Sequence, residues 1–284
     1  MTTSSDSTST AKPKFFDLKS TGYGRIYNAR LVPVKRGQPR PAVNLAALHG
    51  LRGEAAVIPF DLYIVGAKAK ACVDENAEEA NASSTDVFVK FTVSDPYADE
   101  FEIDGGESQR SVLKGRLLTC ERVDPSALPS VYEVTTRGIG YLNSVYVKRT
   151  ENGDIITCRL VALAGSADDV SKVLFDVTVV GEEATRLVLQ YQKAINGDAS
   201  VLVGFSLTNL SGITRFARTG EHAGEIGHSI ASELTKLSFI KVNGERVYSA
   251  PRASDEGSED PASDGAEESP PADADADADA PQAA

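Results

Sequence analysis

The strongest constraint on this chain is that it says nearly the same thing twice. FDLYIVGAKAKACV (Phe60 to Val73) matches FDVTVVGEEATRLV (Phe175 to Val188), and NLAALHG (Asn44 to Gly50) matches RLVALAG (Arg159 to Gly165) at the same spacing. TGYGRIYNA (Thr21 to Ala29) aligns with RGIGYLNSV (Arg137 to Val145), and VFVKFTVSD (Val87 to Asp95) with VLVGFSLTN (Val201 to Asn209). Blocks in one order at near-constant spacing mark a duplication, with a period far too long for a solenoid. A chain of 284 residues has room for two domains of ordinary size. The expected division is a disordered N-terminus (1–14), a first repeat (15–123), a linker (124–136) containing DPSALP, a second repeat (137–250) and a disordered acidic tail (251–284).

The net charge of −12 is misleading when read over the whole chain. From Pro251 onward there are eleven Asp or Glu and one basic residue, Arg252, so the tail carries −10 and the rest only −2. That balance excludes an all-over basic binder and leaves room for a local basic groove. Three widely spaced cysteines, Cys72, Cys120 and Cys158, imply a reducing compartment and no disulfide framework. No apolar run is long enough to span a bilayer and MTTSSDSTST lacks a signal peptide's regions, so a cytoplasmic location without membrane partners is expected.

Each repeat reads as strands around one helix. In the first, Arg25 to Val32, Ala42 to His49 and Ile58 to Val65 are strands, Ala67 to Ala82 a helix, and Val87 to Val93 and Leu113 to Val123 strands. In the second, Ile139 to Arg149, Ile155 to Ala164 and Val173 to Val180 precede a helix over Glu182 to Ile195, followed by Val201 to Leu207 and Leu234 to Val242. Asp95 to Arg110 and Thr208 to Ser232 read as long loops, and Phe15, Phe16 and Leu18 as an apolar patch docking on the first repeat. Three strands, a helix and two strands is the order of an OB-fold, a five-stranded Greek-key barrel. The fold class is therefore mainly β, two tandem OB-fold-like barrels each with one helix, with a ferredoxin-like arrangement as the alternative. Gly22/Gly24 and Gly138/Gly140 fit the bent first strand of such a barrel.

GSADDVSKVLFDVTVVG, VLVGF and TGEHAGEIGHSIASELTKLSFIKVNGERVY, with FDLKSTGYGRIYNAR near the start, carry a resemblance to a known family. It comprises small replication-associated proteins of bacterial integrative conjugative elements, whose domain has no assigned function. The repeat order and acidic tail are also similar to bacterial single-stranded DNA-binding proteins. The resemblance implies a replication accessory role and single-stranded DNA, with replication or conjugation proteins, as partners. Two features depart from that pattern: the chain has no Trp, and its tail ends in PQAA without an apolar tip.

An OB-fold binds single strands through basic groups and exposed rings on which bases stack. The candidates in the first repeat are Arg25, Tyr27, Arg30, Lys35, Arg36, Tyr63, Phe88, Lys90, Lys114 and Arg116. Those in the second are Tyr141, Tyr146, Lys148, Arg149, Arg159, Lys236, Lys241 and the loop cluster Arg215, Phe216 and Arg218. Solvated strand exteriors and core-filling rings are the structural alternative for each. His222 and His228 with Glu221 and Glu225 lack a Cys or third His nearby, so no metal is expected. Asp61 and Asp176 share one place in the repeat and read as strand-edge hydrogen-bond acceptors. With no nucleophile–base pair, Walker motif or acidic metal cluster, the expectation is a binder without catalysis or cofactor. The alternatives are an OB-like protein–protein adaptor and a nuclease-like accessory enzyme. Two fused copies could also dimerise into a four-domain particle.

Overall fold

The computed structural model describes residues 16–35, 37–82, 85–103, 108–151, 153–166, 168–216 and 226–251, with the side chains of 100–103, 108–110, 215, 216 and 226 outside that description. The first repeat contains β1 (Lys19–Val32), β2 (Arg40–Leu51), β3 (Ala56–Ile64), α1 (Ala67–Glu75), α2 (Ala77–Asn81), β4 (Val87–Ile103) and β5 (Ser108–Arg122). A 3-10 turn at Pro125–Ala127 and the two-residue β6 (Val131–Tyr132) follow. The second repeat contains β7 (Thr135–Thr150), β8 (Gly153–Gly165), β9 (Val170–Val179), α3 (Glu182–Gln190), α4 (Gln192–Ile195), β10 (Val201–Phe216), β11 (Ile226–Val242) and β12 (Glu245–Ser249).

Both repeats close on themselves. β1 pairs antiparallel with β2 and β4, β2 with β3, and β4 with β5, while β3 and β5 run parallel. β7, β8, β9, β11 and β10 repeat that circuit, with β9 and β11 the parallel pair. This is the five-stranded OB barrel, with the helix bridging its third and fourth strands. Period-2 alternation sends Ile58, Phe60, Leu62 and Ile64 of β3 inward, and Val173, Phe175, Val177 and Val179 of β9 likewise. The two cores share a ring pair: Phe60 and Phe91 lie 6.4 Å apart at 54°, Phe175 and Phe205 6.3 Å apart at 54°.

The shared glycines sit at close approaches. A Cβ on Gly24 would lie 2.7 Å from the Ala46 carbonyl, and one on Gly140 2.6 Å from that of Val161, because the first strand coils tightly over the second. At the helix entry, a Cβ on Gly66 would meet the Leu118 carbonyl at 1.7 Å and one on Gly181 the Thr235 carbonyl at 2.3 Å.

The barrels join through their first strands. Lys19, Ser20 and Thr21 of β1 pair with Arg137, Thr136 and Thr135 of β7. Since Thr21 corresponds to Arg137 in the repeat, this register is unchanged when the copies are exchanged. It is a two-fold interface inside one chain. At its centre the buried Ser20 Oγ and Thr136 Oγ1 are 2.6 Å apart. Leu18 packs toward Gly138 and Val134 toward Gly22, so each copy plugs the other. Phe16 N–H donates to the Gly165 carbonyl of the second repeat and the Leu18 carbonyl accepts from Asp95 N–H of the first, so the Phe16–Leu18 segment meets the expected first repeat and the second as well.

Several sequence boundaries move. Both helices break, at Asn76 and Tyr191. β1 begins at Lys19, six residues before the expected Arg25, because Ser, Thr and Gly there sit at a strand–strand interface that does not demand large apolar side chains. The expected loop over Thr208 to Ser232 is mostly strand: β10 runs to Phe216 and β11 starts at Ile226. Asp95 to Arg110 is likewise mainly hairpin, since β4 reaches Ile103 and β5 starts at Ser108. Residues 1–15 and 252–284, where a disordered N-terminus and tail are expected, lie outside the described residues.

Candidate nucleic-acid interface

The site begins with a bulge. Between Tyr27 and Arg30 the β1 register slips, with Asn28 at a positive φ of 53°. The Asn81 side chain at the end of α2 holds the bulge, accepting from Ala29 N–H at 2.7 Å and donating to its carbonyl at 3.1 Å. In the second barrel Ser144 takes φ 57°, and Asn196 makes the same two bonds to Val145, at 2.6 and 2.9 Å. The helix thus fixes the strand that carries the outer face.

Cross-strand neighbours share a face, so the register reads off what this wall presents. Tyr27, Asn44, Asp61, Lys114 and Tyr97 form one row across β1, β2, β3, β5 and β4. Arg30, Ala42, Tyr63 and Arg116 form the next. Tyr27, Tyr63 and Tyr97 are 40, 36 and 40% exposed, enough for a ring face to meet solvent. Arg30 bonds Asn44 Oδ1 at 2.6 Å and Asp61 Oδ1 at 2.5 Å, Lys114 bonds Asp99 at 2.7 Å, and Arg116 lies 3.6 Å from Asp95. Burial pulls the Lys114 ammonium down, but the Asp99 hydrogen bond and charge outweigh it and hold it above its ordinary value. Burial, first among several influences, raises the Tyr97 phenol. This wall therefore keeps Lys114 cationic and the Tyr97 ring neutral near pH 7, among the carboxylates of Asp61, Asp95 and Asp99. Partly exposed ion pairs are worth about 0–1 kcal/mol, so an incoming phosphate can take a cation from its carboxylate at small cost. Arg25, chelated by Asp86 at 3.0 Å, lines with Tyr27 an adjoining groove of about 640 Å³.

The second barrel's matching rows are Asn143, Arg159, Asp176, Ala231 and Ser211, and Tyr146, Thr157, Thr178 and Glu233. Arg159 Nε is 3.9 Å from Asp176, which also accepts from Ser229 at 2.6 Å. Tyr146, 66% exposed, borders a cleft of about 360 Å³ with Arg159. Lys148 and Arg149 stand exposed on the β7–β8 hairpin beyond it.

Other sequence candidates lie elsewhere. Phe88 packs against Leu48, Leu128 and Tyr132, so the segment after β5 covers its ring. Lys90 lines a groove on the α1 side with Lys68 and Arg122. Tyr141 and Lys241 both flank Leu202 on the β7–β10–β11 wall, and Lys236 sits opposite Ser206. Lys35 is exposed in the β1–β2 connection, where Arg36 lies outside the described residues. Arg215 and Phe216 are strand residues opposite Gly227 and Ile226, which corrects their placement in a loop; Arg218, His222, Glu221 and Glu225 lie outside the described residues. Tyr97 is absent from the sequence candidates because the stretch after Asp95 reads as loop; its signal is the Tyr97–Lys114 pairing, visible only once β4 is extended. Among the described residues no group of three or more His, Cys, Asp or Glu side chains could hold a metal, and no helix is long and apolar enough to cross a membrane.

Two crystal structures of the single-stranded DNA binding protein from Thermus aquaticus are similar to this chain. The wild type matches at 14% identity with a TM-score of 0.44, covering 84% of this chain and 97% of that one. A deletion mutant matches at 13% identity and a TM-score of 0.46, covering 78% and 94%. No curated protein matches the sequence. The model of a family described as a protein of unknown function, DUF3577, matches twice, over residues 9–124 and 126–256, so the chain belongs to the DUF3577 family and carries its domain in duplicate.

Proposed function

We propose that this protein binds single-stranded DNA without catalysis, serving replication or transfer of a mobile element. One observation carries the reading: Tyr27, Tyr63 and Tyr97 stand on one wall of the first barrel among Arg30, Lys114 and Arg116. Rings supply stacking faces that tolerate any base, and the cations meet phosphates, so binding is sequence-independent and salt-sensitive. The absence of Trp in the chain does not weaken this, because tyrosine offers the same flat face at three positions. The second barrel contributes Tyr146 and Arg159 with the hairpin cations Lys148 and Arg149. Domain boundaries near 15–123 and 137–250 are part of the same reading, with β1–β7 pairing tying the two walls together.

The test is fluorescence anisotropy of labelled single-stranded and duplex oligonucleotides over a salt series. Salt-sensitive binding to the single strand, with duplex much weaker, is expected. No binding at low salt, even after removal of residues 251–284, would replace this reading with a protein–protein adaptor.

A further inference from the structure

The binding wall leaves unused a pair of cysteines on the helix side of the first barrel. Cys72 of α1 and Cys120 of β5 are both buried, with their Sγ atoms 3.0 Å apart. Packing alone does not call for sulfur here. Cys72 corresponds to Leu187 in the repeat, and Cys120 stands opposite Phe91 as Leu237 stands opposite Phe205. Leu187 and Leu237 are buried as well, so one copy fills with two aliphatic side chains the contact that the other makes with two thiols.

A groove of about 1010 Å³ reaches the pair and is lined by both cysteines together with Lys68, Lys90 and Arg122. Small polar oxidants thus have a path to the sulfurs; at Cys72 the Glu75 carboxylate, also in the groove, opposes a thiolate and Arg122 favours it. The hydrogen bond with Cys120 holds the Cys72 thiol below its ordinary value against the opposing effect of burial. The same contact, followed by burial, raises Cys120. Cys72 is thereby the readier of the two sulfurs to ionise. Cys158 differs: burial pushes its thiol up to about 12.

We propose that Cys72 and Cys120 form a reversible disulfide that staples α1 to β5 when the protein meets a hydroperoxide. The Cys72 thiolate attacks one oxygen of hydrogen peroxide; the O–O bond breaks, hydroxide leaves and takes up a proton as water, and Cys72 becomes a sulfenic acid. Cys120 gives up its proton and attacks Cys72 Sγ; the S–S bond forms, the S–O bond breaks, and the departing hydroxide leaves as water with that proton. Two thiols and one peroxide thus give one disulfide and two waters. A dithiol reverses the step by exchange. The bond needs the sulfurs to approach from 3.0 Å to about 2.05 Å, a shift that side-chain torsions can supply.

The full-length protein is treated with a small excess of hydrogen peroxide, denatured, alkylated and weighed intact. Alkylatable thiols should fall from three to one, a peptide linking Cys72 to Cys120 should appear, and dithiothreitol should restore all three. The C158S variant should go from two thiols to none, and the melting temperature of the oxidised wild type should rise. A C72L/C120L variant, which copies the second barrel, should keep its single thiol and its melting temperature. Three thiols surviving peroxide, or two lost without the linked peptide, would overturn the proposal, and the C158S arm decides it even if the double variant does not fold.

Discussion

The two barrels share a skeleton and differ on the wall that faces solvent. Inside, they share the same devices: tilted phenylalanine pairs at 6.4 and 6.3 Å, asparagine clamps on the first-strand bulge, glycines under the helix entry. Outside, Tyr27, Tyr63 and Tyr97 become Asn143, Thr178 and Ser211, and Lys114 and Arg116 become Ala231 and Glu233. The second copy gains Tyr146 and Arg159 where the first has Arg30 and Asn44. Packing a barrel tolerates little change in volume, whereas an exterior position is free to diverge. Duplication therefore preserved the scaffold twice and left the two walls free to differ in what they hold.

That comparison can be broken from the inside first. Phe60→Ala and Phe175→Ala each empty the same core position and should each cost about 3–5 kcal/mol of stability in denaturant titration. A large loss for one and none for the other would mean that the barrels are not built alike. Next is the wall. Replacing Tyr27, Tyr63 and Tyr97 singly by Ala should weaken single-strand binding by about 1–3 kcal/mol each, read by anisotropy. The reverse graft, T178Y with S211Y, should strengthen it by about 1 kcal/mol, toward the low end of the stacking range. Arg116→Ala should lower the slope of log affinity against log salt by about one, with no such change for Glu233→Ala. Smallest, removal of residues 251–284 should tighten binding only at low salt, where an acidic segment carrying −10 competes best with DNA for the cations.

Much of the architecture is legible in the sequence, because core positions alternate at period two and appear twice. Phe60, Leu62 and Ile64 mark β3, and the copy marks β9 in the same way. The outer parts of the hairpins escape that signal. Ser211, Gly212, Ile213 and Thr214 continue β10 past the buried Leu210 with no fully buried side chain among them, so the apolar alternation that marks a strand fades there. Candidate rings are equally hard to sort from sequence. Phe88 and Tyr27 both occupy outward positions, yet Leu128 and Tyr132, brought in after β5, cover Phe88 alone. Tyr97 belongs with Lys114 only through a register that shifts between Ser94 and Tyr97.

The central claim is that the tyrosine wall of the first barrel dominates contact with a single strand. Its most direct measurement is a side-by-side anisotropy titration of Y27A/Y63A/Y97A and Y146A with one labelled single strand at fixed salt, after circular dichroism shows both variants folded. The triple variant should lose at least about a hundredfold in affinity and Y146A at least about tenfold less than that, since three stacking faces are removed against one. Equal losses, or a larger loss for Y146A, would contradict the account and move the principal contact to the second barrel.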